Sequence, residues 1–292
     1  MRNNGNGNGN GNGNGNGNGN GNGNGNGNGD GNGDGTSSGV AALFRKAHDE
    51  GTLSAASLKT LDVIDLGAQI QAGLGVCIDD IPSSEVVLVT MMPDDSGSIA
   101  GAHNVDAVCD GHNLVLDALA ASRQKNDIFV HTRYLNGSVL FPYVGVDQGI
   151  RMNRSNYSAN LGTPLYDQSI ILLGTVLAKS QELADAGVAV RTVTLLITDG
   201  GDCGSTRASA RHVRDLVLDM RAAENHIVAA MGISDGTSDF QQVFRDMGID
   251  DRWILTPRGG AAEVRKAFQM FSQSAVKASQ IGAFPGLGGF TN

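Results

Sequence analysis

Apolar residues follow two patterns along most of the chain, continuous runs and runs spaced three or four residues apart. The continuous runs 85–92 (EVVLVTMM) and 191–198 (RTVTLLIT) predict strands that are buried on both faces of a parallel sheet. Helical spacing follows the first run over 104–122, and strands and helices continue to alternate beyond it. Further strands are predicted at 226–232 and 252–255, and further helices at 164–186, 206–224, 238–247 and 261–278. This alternation predicts an α/β fold with a doubly wound, mostly parallel sheet and helices on both faces.

One pair of neighbouring strands is predicted to be antiparallel. The runs 127–135 (DIFVHTRYL) and 138–144 (SVLFPYV) are separated only by Asn136 and Gly137. This dipeptide between apolar runs is the strongest local signal of a β-hairpin. Because Pro142 has no N–H to donate, we expect its strand to lie at an edge of the sheet.

The two ends of the chain lack this pattern. Residues 4–35 are almost purely Asn-Gly and offer no apolar area to offset the entropy of ordering, so a disordered tether is predicted over 1–37. A helical segment is expected over 38–84, the main domain over 85–279 and a flexible glycine-rich tail over 280–292. The tract has no apolar stretch of signal-peptide type, so we expect a cytoplasmic protein rather than a secreted one.

Composition argues against several classes of function. The net charge is −9 and no basic patch with interleaved aromatic residues occurs, so nucleic acid is not an expected partner. No run of about 18 apolar residues is present, so no membrane span is expected. The three cysteines are scattered and show neither a disulfide framework nor a zinc spacing.

Small oxygen-bearing side chains cluster after the first buried strand. Asp94, Ser96 and Ser98 alternate in the loop MMPDDSGSIA, and such oxygens suit a hard cation. Turn and helix-capping roles are the alternative for these residues. Thr163, before a predicted helix, and Asp199, at the end of the second buried strand, have the same two interpretations. Because ligands of doubly wound sheets bind at the carboxyl ends of the strands, we expect all three segments to meet at one edge.

In their order and setting, these segments resemble the von Willebrand factor type A domain, of the bacterial intracellular type. The resemblance is carried by the motif D-x-S-x-S at 94–98, by GTPL at 162–165 and by TDG at 198–200. It covers about 85–278 and includes the hairpin after the first helix of the domain. The Asn-Gly tract, the helical segment and the tail lie outside it.

That resemblance implies a metal-ion-dependent adhesion site. Ser96, Ser98 and Thr163 would offer hydroxyl oxygens to Mg²⁺, with Mn²⁺ or Ca²⁺ as alternative ions, while Asp94 and Asp199 would hold the ion directly or through water. An open coordination position would take an Asp or Glu carboxylate from a partner protein. The resemblance also implies an intracellular adaptor in a multi-protein complex such as an AAA+ ATPase system.

Two further acidic residues leave the charge of the partner open. Asp95 stands where many members of the family have a neutral residue, so it could face solvent, tighten metal binding or discourage an acidic ligand. Asp202 raises the same question. The alternatives to a binding module are a metal-assisted phosphoryl-transfer or hydrolytic enzyme and a secreted adhesin. The sequence has neither a G-x-x-x-x-G-K-[ST] loop nor a G-x-S-x-G elbow, so we expect no enzymatic activity.

Overall fold

A computed structural model describes residues 35–63, 66–77, 81, 83–280 and 288–290. The described residues form six strands, β1 Glu85–Met92, β2 Ile128–Arg133, β3 Val139–Gly145, β4 Ala189–Thr198, β5 His226–Gly232 and β6 Ile254–Leu255. They form one sheet in the order β3-β2-β1-β4-β5-β6. The pairs are parallel except β2 with β3, which is antiparallel and lies at the edge. The predicted fold class is therefore confirmed.

Helices cover both faces of this sheet. The nine helices of the described residues are α1 Gly35–Asp49, α2 Ala55–Val63, α3 Gly67–Leu74, α4 Gly97–Gly101, α5 Val105–Ala120, α6 Leu165–Asp185, α7 Ala210–Ala222, α8 Phe240–Asp246 and α9 Ala261–Gln280. The connections from β1 to β2 and from β4 to β5 step in opposite directions, so right-handed crossovers place α5 and α7 on opposite faces. Helix α9 packs beside α5, and α6 packs beside α7. None of these helices is long and apolar enough to cross a membrane.

The predicted hairpin forms at the expected position. Gly137 has a φ of 97°, and its N–H donates to Tyr134 O at 2.9 Å. The N–H of Tyr134 donates in turn to Ser138 O at 2.8 Å. Glycine tolerates this positive φ without steric cost, which is why the turn falls at Asn-Gly. Beyond the turn, Pro142 lies on the edge strand β3.

Helices α1 to α3 pack directly on the sheet domain. The helical segment expected over 38–84 contains these three helices, of which α2 packs on α7 whereas α3 packs on α6 and β3. Phe44, Leu61 and Ile70 belong to the same hydrophobic cluster as the strands. The chain after α3 also covers the edge strand, since Val76 N donates to Tyr143 O at 2.8 Å.

Two other predicted elements are shorter in the structure. Helix α7 begins at Ala210 rather than 206, because the carboxylate of Asp167 accepts the N–H groups of 206–208 at 2.6–3.1 Å. Strand β6 has two residues rather than four, because Asp251–Trp253 forms a 3₁₀ turn.

The described part of the predicted tail contacts the domain. Phe290 N donates to Arg252 O at 2.9 Å, and the ring of Phe290 lies edge-on to Trp253 with centroids 5.2 Å apart. Residues 281–287 and 291–292 of that tail, and residues 1–34 of the predicted tether, lie outside the described residues.

Candidate metal site at the carboxyl edge of the sheet

The loops after β1 and β4 meet at the carboxyl edge of the sheet. The two strands are parallel neighbours with Met92 opposite Leu196, so their following residues lie side by side. Ser98 Oγ donates to Asp199 Oδ1 at 2.5 Å, and Ser96 Oγ lies 2.8 Å from Ser98 Oγ and 3.4 Å from Asp199 Oδ1. The structure therefore brings these residues of the first and third predicted segments into direct contact.

Asp94 is fully buried at the centre of this cluster, and its carboxylate is fixed from both sides. Oδ1 accepts from Ser96 N at 2.7 Å, and Oδ2 accepts from the hydroxyl of Thr198 at 2.7 Å and from Asp199 N at 3.4 Å. The sequence pattern included Thr198 only as part of the TDG motif and gave it no role at the site. Its hydroxyl orients Asp94, which makes it a positioning residue of the site.

Thr163 lies beside the cluster. Its backbone exchanges two hydrogen bonds with Cys203, at 3.1 and 2.8 Å, which pairs its segment with the loop after Asp199. A Cβ atom added at Gly200 would lie 3.9 Å from Thr163 Oγ1, so the hydroxyl faces the turn that follows Asp199. Thr163 is 6% exposed, and its hydroxyl makes no hydrogen bond to any described residue.

A second positioning contact comes from the long loop before Thr163. The hydroxyl of Tyr157 donates to the backbone carbonyl of Asp94, and its ring packs against Tyr134 with centroids 5.4 Å apart. Burial raises the pKa of Tyr157 well above its ordinary value, so the phenol is a neutral donor. Sequence reasoning missed this residue because the contact joins positions 63 apart in the chain.

The carboxylates of the site have no basic counter-charge among the residues that the structure describes. Burial raises the pKa of Asp199 to about 6, against the opposing effect of the hydrogen bond from Ser98 and with a further increase from the charge of Asp94. Among the ion pairs of the described residues, none includes Asp94, Asp95 or Asp199. Buried carboxylates without a partner are costly, so a bound cation would stabilise this arrangement.

Asp95 does not face solvent. It is 1% exposed, and its Oδ1 accepts from Asn136 N at 3.0 Å. This bond links the loop after β1 to the β2–β3 hairpin. Burial raises its pKa to about 6, while the bond from Asn136 opposes the increase. Asp202 also forms a hydrogen bond with the backbone, since its Oδ1 accepts from Tyr166 N at 3.2 Å in the first turn of α6. Both residues therefore support the loops around the cluster.

The chemistry of the cluster fits a hard cation. All its donors are carboxylate or hydroxyl oxygens, which Mg²⁺ prefers over nitrogen and sulfur. In the part of the chain that the structure describes, no group of three or more His, Cys, Asp and Glu is positioned to hold a metal. Among these residues, the mixed carboxylate–hydroxyl cluster is thus the candidate metal site.

Comparison with known proteins shows similarity in structure only. No family model matches the chain, and no curated protein matches its sequence. Proximal thread matrix protein 1 from the mussel byssus is similar at 15% identity and a TM-score of 0.43, covering 64% of this chain and 47% of its own. The pilus adhesin SpaC from Lactobacillus rhamnosus GG is similar at 15% identity and a TM-score of 0.45, covering 66% and 30%. Manganese-loaded TRAP from Plasmodium vivax is similar at 16% identity and a TM-score of 0.39, covering 64% and 74%.

This chain thus spans about half the length of the byssus protein structure, of which 47% is covered. Similarity at these values concerns the backbone fold alone. What the site binds is therefore argued from its own residues.

Proposed function

We propose that this chain is a non-enzymatic, Mg²⁺-dependent protein-binding module of von Willebrand A type. The ion would be held by Asp94, Ser96, Ser98, Thr163 and Asp199. One observation carries this proposal: the hydroxyls of both serines and the carboxylate of Asp199 lie within 2.5–3.4 Å of one another, next to buried Asp94 and without a basic counter-charge among the described residues.

Charge and coordination support Mg²⁺ at this place. Two carboxylates balance its charge, and three hydroxyls add neutral oxygens, while waters complete the six positions that the ion prefers. Asp94 is held by Ser96 N and the hydroxyl of Thr198, so its orientation needs no rearrangement when the ion binds. When bound, the ion supplies an electrophilic position for one further oxygen ligand.

The difference in burial among the site residues supports the approach of a ligand from one side. Asp94 is fully buried, Asp199 is 3% exposed, and Ser98 is exposed to solvent. Ser98 is therefore the side of the cluster from which an anionic oxygen could approach a bound ion. A partner protein that supplies an Asp or Glu carboxylate has the chemistry for this position. We propose further that the partner belongs to a multi-protein complex, such as an AAA+ ATPase system, in the cytoplasm.

Titration calorimetry with Mg²⁺ tests the metal site. The wild-type protein should bind one ion, and Asp94→Ala and Asp199→Asn should each lose this binding. Asp147→Asn is the matched control, because the side chain of Asp147 is 59% exposed. Asp147 follows the antiparallel strand β3, which ends beside the start of β2, so it lies at the end of the sheet opposite to the candidate site. Unchanged Mg²⁺ affinity in Asp199→Asn would show that the cluster does not hold the ion.

Partner capture tests the functional part of the proposal. A pull-down from cell extract should recover a partner with Mg²⁺ present and lose it with EDTA, and Asp199→Asn should lose it in both conditions. Cell fractionation tests the proposed location. Partners that bind equally with and without EDTA would contradict a role for the ion in recognition.

A further inference from the structure

A second surface with a distinct charge lies between α2 and α7. A cavity of about 360 Å³ opens there, and its walls carry Lys59 from α2, Arg211 and His212 from α7, and Arg207 from the loop before α7. Asp215 is the carboxylate among the residues that line it. We call this cavity the basic groove.

The positive charges of the basic groove are available to a ligand. Lys59, Arg207 and Arg211 are exposed, and none of them forms an ion pair within the described residues. The chain as a whole has a net charge of −9, whereas Lys59, Arg207 and Arg211 outnumber the one carboxylate in the groove, Asp215. Free cations in a concave site attract anions because the low-dielectric walls focus their field.

Two features at the start of α7 add to this attraction. Arg211 and His212 lie in the first turn of α7, where the helix dipole favours negative charge. The Nδ1 atom of His212 accepts from Ser209 N at 3.2 Å, so the proton of the neutral ring is on Nε2. His212 therefore offers a hydrogen-bond donor at Nε2.

The basic groove is close to the candidate metal site. Arg207 is four residues after Cys203, whose backbone pairs with Thr163. Four residues span at most about 14 Å. The intervening loop is held by Asp167, which accepts from Arg207 N at 3.1 Å and from Thr206 N at 2.9 Å. A single extended segment of a partner is therefore long enough to reach both places.

We infer that the basic groove binds additional acidic side chains of the same partner whose carboxylate binds the metal. This inference rests on the proposed function and narrows the partner to a protein with an acidic segment of several Asp or Glu residues. The cations lie on both walls, with Lys59 on α2 and Arg211 on α7, and this suits an extended peptide lying between the helices. The methyl group of Ala56 and the alkyl stems of the basic residues suit the methylene groups of glutamate side chains.

Fluorescence anisotropy with a labelled glutamate-rich peptide tests the basic groove. In Mg²⁺, the double variant Lys59→Glu/Arg211→Glu should bind the peptide about tenfold more weakly or worse, because each reversal replaces an attraction by a repulsion. Arg123→Glu/Lys266→Glu is the matched control, since it makes the same charge change at exposed residues of α9 and the turn after α5. This control should change the affinity less than about twofold. Circular dichroism melts verify that both double variants are folded.

Other outcomes separate this inference from the proposed function. If EDTA and Asp199→Asn abolish peptide binding while Lys59→Glu/Arg211→Glu binds like the wild type, the basic groove is not part of the site and the metal proposal stands. If the groove variant loses binding while EDTA has no effect, the groove is supported and the metal proposal fails. Equal binding of a peptide with glutamine in place of glutamate would overturn the inference. Displacement of the glutamate peptide by an equimolar amount of inorganic phosphate would overturn it in favour of a small-anion pocket.

Discussion

Replacing Thr198 by valine tests how Asp94 is held in the candidate metal site, without substituting a proposed ligand. Valine keeps the shape and the β-branch of threonine but removes the hydroxyl that donates to Asp94 Oδ2 at 2.7 Å. The same hydroxyl accepts from Gly200 N at 3.2 Å, and Gly200 O lies 2.9 Å from it. The carboxylate of Asp94 is the stronger acceptor of its proton because it is charged.

The cost of this substitution follows from burial and charge. Asp94 and Thr198 are both fully buried, so water does not replace the lost donor, and only Asp199 N at 3.4 Å still serves Asp94 Oδ2. Losing a buried hydrogen bond to a charged group costs about 2 kcal/mol of unfolding free energy. In a domain of this size, that lowers the Tm by about 4–8 °C.

Thr194 provides a matched control on the same strand. It is as buried as Thr198, but its hydroxyl has no hydrogen-bond partner among the described residues. Thr194→Val removes a buried polar group that is not satisfied, so the Tm should rise by about 2–4 °C, corresponding to about 1 kcal/mol. The two substitutions are chemically identical, and the structure predicts effects of opposite sign.

Differential scanning calorimetry with and without Mg²⁺ measures both effects. Without metal, Thr198→Val should melt below the wild type and Thr194→Val above it. Calorimetric titration should show that Thr198→Val binds Mg²⁺ about 10–100-fold more weakly, as expected for loss of a group that orients a ligand. Equal melting temperatures for the two variants, or Mg²⁺ affinity unaffected by Thr198→Val, would refute the role that we assign to Thr198.

Three further predictions concern other parts of the molecule. Thr163→Ala should weaken partner capture in a pull-down more than it weakens Mg²⁺ binding in calorimetry, because it removes a neutral oxygen but no charge; loss of metal with retained capture would contradict this. Gly111→Ala should lower the Tm by the equivalent of about 1–3 kcal/mol, since its Cβ would meet the ring of Phe268 at 2.0 Å, whereas Gly39→Ala, with no atom within 4 Å, should raise it slightly. Burial lowers the pKa of His131 to about 3, so the unfolded chain binds its proton more readily and stability falls as the pH drops below 6.5. His131→Gln should therefore lose about 2 kcal/mol less unfolding free energy than the wild type between pH 7.5 and 5 in urea titrations, and an identical pH dependence would contradict a buried neutral His131.

The sequence was sufficient for the fold class because burial on both faces leaves a local signature. The continuous apolar runs of β1 and β4 marked the central parallel strands, and Asn136-Gly137 marked the antiparallel edge. The positions of Asp94 and Asp199 after those runs then placed both at the carboxyl edge. Each of these inferences uses residues that are near one another in the chain, which is why no tertiary information was needed.

The tertiary structure decided which residues support that edge. Thr198 and Asp94 are 104 positions apart, and Asp95 and Asn136 are 41 apart, so no local pattern could show that they bond. The sequence left the side chain of Asp95 undecided between solvent and the metal, but a contact with the hairpin buries it. The basic groove likewise exists only because α2 packs on α7, which brings Lys59 opposite Arg211. Periodicity reports whether a residue is buried, whereas its contact partner is determined by how distant elements pack.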